Sequence, residues 1–389
     1  MTGNQWSKAA RTKLCLQLKY RLDSLKHQIH VYRITILVRH MNLFLLFLFV
    51  NFCAIIFFLC RFFDCAFLCC GREKNELPGL SIPPAQESSA IVDDSFRLIA
   101  FGDWGEMDSV NDLQRIGAYI QSPLSTRQAV LLLGDNIYPS GASHEVGIGD
   151  PKFELFSKHL AGTGNMSTQY FVVAGNHDHM GDLRAQFRYH DKDPRWNMVH
   201  EVELKLFQLA SGKYMCIWMF DGLAIRRVVP KLRLSLELEK RRCHWRILAS
   251  HYPIYTEGGY KRDILTLQIR HFLQPLLESY RVHLYLSAHE HSSQVLIGRR
   301  SRTVHLIAGA SVGVRYDLSR DGQRGSDGLY DLVWANDRMY PVILQLHASE
   351  RVLTFQFVHL PASAPEHPAE GSIPPFTILY SNSIANTGP

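Results

Sequence analysis

Residues 129–138 read AVLLLGDNIY: an apolar run from Ala129 to Leu133 that breaks at Gly134 into Asp135, Asn136 and Tyr138. A short apolar run without polar alternation is the pattern of a strand covered on both faces, as in a largely parallel sheet. The loop after such a strand stands at the carboxyl edge of the sheet, where open α/β sheets bind ligands. Four more blocks have the same form. Gly102-Asp103-Trp104-Gly105 follows a strand expected at Arg97–Phe101, and Gly175-Asn176-His177-Asp178-His179 follows one at Tyr170–Ala174. Ser250-His251-Tyr252-Pro253 closes a strand at Arg246–Ser250, and Ala288-His289-Glu290-His291 follows Val282–Ser287. The blocks lie dozens of residues apart, so only a fold brings them together. Further strands are expected at Lys213–Phe220 and around 294–297, 304–308, 342–345 and 352–357, with helices near Val110–Gln121, Phe153–Leu160 and Asp263–Tyr280. That alternation argues an α/β domain over 95–360.

The chemistry of the blocks is uniform. Asp103, Asp135, Tyr138, Asn176, His251, His289 and His291 offer hard oxygens and imidazole nitrogens, with no sulfur. Such a set suits Fe, Mn or Zn in five- or six-coordinate sites, not a Cys-rich structural zinc. The two histidines of a His-x-His step on an extended segment share a face. An aspartate has two oxygens and can bridge two ions, and ions about 3.5–4 Å apart form a clamp for in-line phosphoryl displacement. Singly, each residue has a plainer reading. Asp103 suits a helix N-cap, Tyr138 a core edge, and His177 a hydrogen bond to a carbonyl. The set, in order, is what points to a metal centre.

The series GDWG, GDNIY, GNHDH, SHYP and AHEH resembles the purple acid phosphatases, particularly the small tartrate-resistant type of mammals. The resemblance spans roughly 100–350, including Arg184-Ala185-Gln186 and Arg195-Trp196-Asn197. A Tyr three residues after the second Asp separates this family from other metallophosphoesterases. The resemblance implies a four-layer sandwich, two mixed β-sheets flanked by helices. It implies a ferric site of Asp103, Asp135, Tyr138 and His291. A second metal, Fe(II), Zn or Mn, would take Asp135, Asn176, His251 and His289, with Asp135 bridging. The implied activity is hydrolysis of small phosphomonoesters or phosphoproteins through a metal-bound hydroxide. His177 would bind phosphate or protonate the leaving alkoxide, and a protonated imidazole fits an acid optimum.

The chain also departs from that pattern. A second active-site histidine is replaced by Tyr260, a possible substrate contact, with Glu257 as a substitute acid. Ala288 stands where the family has Gly, in a turn expected to need positive φ. A loop between Asp221 and Pro230 is shortened. Asp178, His179 and Glu290 suit hydrogen-bonding support as well as catalysis. Two alternatives stand beside the phosphatase: an Mn/Zn phosphodiesterase or nucleotide hydrolase of the same superfamily, and a catalytically weakened, membrane-anchored binding protein.

Charge and cysteine distribution bear on location. The net charge of +6 comes from residues 1–40, where eight Lys or Arg face the single acid Asp23, so no nucleic-acid groove is expected in the body. Met41–Cys60 is uncharged; as a helix it would rise about 30 Å, enough to cross a bilayer core. A transmembrane or signal-anchor segment is therefore expected at 41–63. The basic lead on the cytosolic side would put the body outside or in a lumen. Secretion after signal cleavage, or translation from Met41, are the alternatives. Residues 64–94 form a Cys-containing flank, with Cys69 and Cys70 read either as palmitoylation sites beside a membrane or as buried apolar cysteines, and a Pro/Ser-rich linker. Residues 361–389 read as a loosely ordered Pro-rich tail. Only Cys216 and Cys243 fall in the body, too few for a disulfide framework. Asn165-Met166-Ser167 is a glycosylation sequon, and Lys240-Arg241-Arg242 reads as a solvated helix end.

Overall fold

Strand β1 (Phe96–Phe101) is buried along its whole length. Leu98 and Ala100 point to one core while Ile99 and Phe101 point to another. This period-two division explains why the apolar run 98–101, which follows the buried Arg97, shows no polar alternation. The computed structural model describes residues 96–122, 127–162, 167–312, 328–362 and 376–386. The basic lead, the 41–63 segment, its flank to 94 and Asn165 lie outside the described residues. No helix among the described residues is long and apolar enough to cross a membrane.

From β1 the chain passes through α1 (Val110–Gln121) to β2 (Gln128–Leu132) and, after a π-helical turn at Leu155–Leu160, to β3 (Gln169–Val172). Short helices α2 (Asn176–His179) and α3 (Leu183–Arg188) precede β4 (Trp196–Met198). These four strands are parallel, with Ile99 opposite Val130 and Val130 opposite Tyr170. A second sheet is built by β5 (Val202–Gln208), β6 (Tyr214–Phe220), α4 (Ile225–Glu239), β7 (Cys243–Ala249), α5 (Ile264–Ser279), β8 (Leu284–Ser287), β9 (Ser293–Gly298), β10 (Val304–Ala308) and β11 (Tyr330–Asn336). The chain then returns to the first sheet through β12 (Val342–Ala348), β13 (Val352–His359) and β14 (Thr377–Ala385). The strand orders are β14-β13-β12-β1-β2-β3-β4 and β11-β9-β10-β8-β7-β6-β5, both mixed.

The sheets pack face to face, Leu98, Leu131 and Leu133 of the first meeting Ile217, Ile247 and Leu286 of the second. Outside the first sheet lie Leu113, Ile116 and Ile120 of α1. Outside the second, Val228, Leu232 and Leu236 of α4 join Ile269 and Leu273 of α5. The four expected layers are present.

Several elements differ from the sequence reading. The domain does not end at 360. Within the stretch read as a loose tail, β14 pairs with β13, Ile384 facing Leu353, and buries Ile384. Of helix α4 only the end was expected, at Lys240-Arg241-Arg242; its body was not, with Pro230 and basic residues interrupting the apolar stripe. Pro230 sits in its second turn and withholds the N–H that would bond the Arg226 carbonyl, the mark of a helix breaker. Strands β4 and β5 were missed as well; β4 has only three residues, and β5 is a half-exposed edge strand with Glu203 and Lys205 interleaved. Cys216 of β6 and Cys243 of β7, too few for a framework, form one disulfide with Cα atoms 5.5 Å apart.

Candidate metal centre

All five blocks converge at the carboxyl ends of the parallel strands of both sheets. The convergence demands unusual backbone: Asp103, Asp135 and His289 have φ of 57°, 53° and 68°. Positive φ is uncommon for residues other than glycine, and strained positions of this kind gather at functional sites. Gly134, itself at φ +93°, lets the chain pass under an imidazole; a Cβ there would lie 2.6 Å from His251 Nδ1. Ala288 is not among the positive-φ residues, so the strain expected at it falls on His289 instead. Its methyl is accommodated because Gly102 stands opposite; a Cβ on Gly102 would come within 2.4 Å of it.

The seven candidate ligands form two groups that share one carboxylate. In the first, Tyr138 Oη lies 3.0 Å from Asp135 Oδ2, 3.3 Å from Asp103 Oδ1 and 3.4 Å from His291 Nε2. His291 Nε2 is 3.6 Å from Asp103 Oδ1. In the second, His251 Nε2 lies 3.5 Å from the same Asp135 Oδ2, 3.2 Å from Asn176 Oδ1 and 3.1 Å from His289 Nδ1. Ligand atoms of Asp135, His251 and His289 all lie within 4.8 Å of one another. The donors are fixed from behind. His289 N donates to Asp103 Oδ2 at 2.8 Å, and His177 N donates to Asp135 Oδ1 at 2.9 Å. His251 Nδ1 lies 2.8 Å from the Leu133 carbonyl. A carbonyl only accepts, so Nδ1 carries the proton and Nε2 presents its lone pair to the centre.

The electrostatics call for a cation. Burial, then repulsion from Asp135, raises the pKa of Asp103 well above the carboxylate range. Burial, followed by the two carboxylates, pushes Tyr138 far above the ordinary phenol. Burial lowers His251 and His289, and takes His291 down to about 4. Among the described residues, the ion pairs of Asp103 and Asp135 are with histidines, not Lys or Arg. Neutral imidazoles and crowded carboxylates are what a multivalent cation binds, and a hard oxygen–nitrogen set fits iron, manganese or zinc.

Around this core stand the other predicted residues. His177 has Nδ1 against the Pro139 carbonyl, Nε2 3.9 Å from Asp135 Oδ2 and its ring 4.3 Å from that of Tyr138. Its side chain keeps some access to solvent. Tyr260 stacks on the candidate ligand His289, ring centroids 4.0 Å apart. Glu257 does not stand in for an acid here. It is turned away, accepting from Lys261 Nζ at 3.1 Å and Tyr330 Oη at 2.8 Å. Asp178 accepts from Asn136 Nδ2 and Gly175 N, each at 2.8 Å, tying the second loop to the third. His179 Nε2 lies 3.1 Å from Asp221 Oδ2, linking the third loop to the one after β6 in the other sheet. Glu290, its pKa raised to about 7 by burial, accepts from Tyr260 N at 2.7 Å and so fixes the turn that presents Tyr260. Asn136 and Asp221 were not singled out from sequence. Asp221 had the same signal as the blocks, a carboxylate directly after a buried strand.

Comparison with known proteins agrees with this geometry. The chain is 28% identical over 244 residues to purple acid phosphatase 7 of Arabidopsis thaliana, covering 56% of this chain and 70% of that protein. It is 27% identical over 233 residues to tartrate-resistant acid phosphatase type 5 of Oryctolagus cuniculus, covering 52% and 69%. Among solved structures, GAP50, the anchor in the inner membrane complex of Plasmodium, superposes with a TM-score of 0.58 at 17% identity, covering 76% of this chain and 90% of that one. The model of the calcineurin-like phosphoesterases matches residues 96–293, from the first strand of the domain through the last of the five blocks. The chain belongs to that family.

Proposed function

We propose that this protein is an acid phosphatase that hydrolyses phosphomonoesters at a two-cation centre. The observation that carries the reading is the sharing of Asp135 Oδ2 between two donor groups, Tyr138 on one side and His251 on the other. Asp103, Asp135, Tyr138 and His291 would hold the ferric ion; Asp135, Asn176, His251 and His289 would hold the divalent one. When bound, the pair neutralises phosphate charge and activates water for attack. The tyrosine favours a ferric occupant of the first group, because a phenol flanked by two carboxylates gives up its proton only to a strongly charged ion.

The chain's own residues account for the rest. With Nδ1 donating to the Pro139 carbonyl, His177 has Nε2 left to carry a proton to the leaving alkoxide. Tyr260, stacked on His289, walls the substrate side with a neutral hydrogen-bonding ring. A compartment outside the cytosol is supported by the Cys216–Cys243 disulfide, since such bonds persist in oxidising surroundings. Turnover of p-nitrophenyl phosphate across acid and neutral pH tests the reading. Activity should peak below neutrality, and His177→Ala should lose about 10²–10⁴-fold in kcat. Absence of turnover by iron-loaded protein, or a loss under about tenfold in the variant, would contradict the phosphatase or the acid role respectively.

A further inference from the structure

The run Lys240-Arg241-Arg242 is part of a larger feature. Between Ile225 and Arg242 lie seven Lys or Arg and two Glu, a surplus of five positive charges on one helix and its end. Helix α4 buries Ile225, Val228, Leu232 and Leu236. At 100° per residue, Leu234 and, just past the helix, Arg241 lie opposite that stripe, with Leu238 on one flank, Arg226 and Arg233 on the other, and Glu237, which pairs with Lys240, between them. Leu234 is 61% and Leu238 72% exposed. Part of the charge is matched, since Glu201 pairs with Arg227 and Lys231. Among the described residues, Arg226, Arg233 and Arg241 have no ion-pair partner. Helix α5 extends the surface. Each of α4 and α5 joins neighbouring parallel strands of the second sheet, so right-handed crossovers set both on one face. Near the start of α5, Ile264 is 73% and Leu267 43% exposed.

We propose that the outer face of α4 and α5 is a docking surface for an anionic lipid bilayer. Two exposed leucines one helical turn apart, flanked by arginines without ion-pair partners, match a headgroup layer: guanidinium groups take lipid phosphates and carboxylates while the leucines enter the acyl boundary. The chain also carries the uncharged run Met41–Cys60. Insertion through that run would hold the domain beside a bilayer at high effective concentration, so a weak surface suffices.

Hydrogen exchange of the full-length protein tests this, with vesicles of phosphatidylcholine alone, vesicles also containing phosphatidylserine, or soluble polyglutamate. The amides of 226–242 should exchange several-fold more slowly with phosphatidylserine vesicles than with phosphatidylcholine, while those of α1 stay unchanged. The triple variant Arg226→Glu, Arg233→Glu, Arg241→Glu should abolish the difference, and Leu234→Ser with Leu238→Ser should shrink it. Circular dichroism checks that each variant is folded. Equal exchange in both vesicle types, protection that survives charge reversal, or protection by polyglutamate without any from vesicles would overturn the proposal. The last outcome would point to an acidic protein instead.

Discussion

Asp135 meets three demands at once. Its Oδ2 lies between Tyr138 and His251, its Oδ1 accepts from His177 N, and its backbone sits at positive φ. Behind it, Asp178 is fully buried and accepts from Asn136 and Gly175. Replacing Asp178 by Ala leaves those donors without an acceptor, so a loss of at least about 1–3 kcal/mol is expected by urea titration. A loss within a few tenths of that of a surface Asp→Ala change would show that water replaces the carboxylate. At this scale the candidate ligands, and their convergence, were legible because their chemistry lies in residue type and position after a strand. What was not legible is which carboxylate faces which turn. Glu257 was the candidate acid near Tyr260, yet the carboxylate that meets this turn is Glu290, close against Gly258, while Glu257 is held by Lys261 and Tyr330. No spacing in the sequence separates the two.

Loops after β1 and β8 touch through Gly102 and Ala288, and this contact can be tested apart from catalysis. Gly102→Ala puts a second methyl 2.4 Å from the first, an overpacking expected to cost about 1–3 kcal/mol. Adding Ala288→Gly should recover much of it, giving a coupling of at least about 0.5 kcal/mol in a double-mutant cycle. Additive losses would mean that the clash lies with the Leu133 carbonyl, 3.0 Å away, and not with Ala288. Among the elements, the central strands were legible as unbroken apolar runs. The periphery was not. Ile225, Val228, Leu232 and Leu236 recur at helical spacing, but Pro230 and the arginines between them interrupt the pattern, and only the helix end at 240–242 was legible. Edge strand β14 follows a Pro-rich stretch, and its place is set by pairing with β13, a contact that local composition does not reveal.

At the scale of the whole molecule, burial of neutral imidazoles sets a limit on acid stability. His305 in β10 is 1% exposed, packed against the rings of Tyr255 and Tyr285, and burial lowers its pKa to about 3. Among the described residues neither of its ring nitrogens has a hydrogen-bond partner. The unfolded chain takes up this proton near pH 6.5 while the folded one refuses it until about 3. The contribution to stability is therefore complete above about 6.5 and is lost as pH falls toward the folded value. This group adds about 1.4 kcal/mol per pH unit within that window, and His305→Gln should remove that slope; an unchanged slope would place the proton elsewhere. The four layers themselves were expected from the resemblance, and the meeting of five distant loops at one end of both sheets is what makes a single centre of them. Metal content measures that claim most directly. Wild-type protein should bind two ions per chain, Asp103→Ala and Asn176→Ala one each, and Asp135→Ala little or none. Wild-type protein that holds a single ion, retained in full by Asp103→Ala, would contradict a shared two-cation centre and leave only the Asp135, His251 and His289 site.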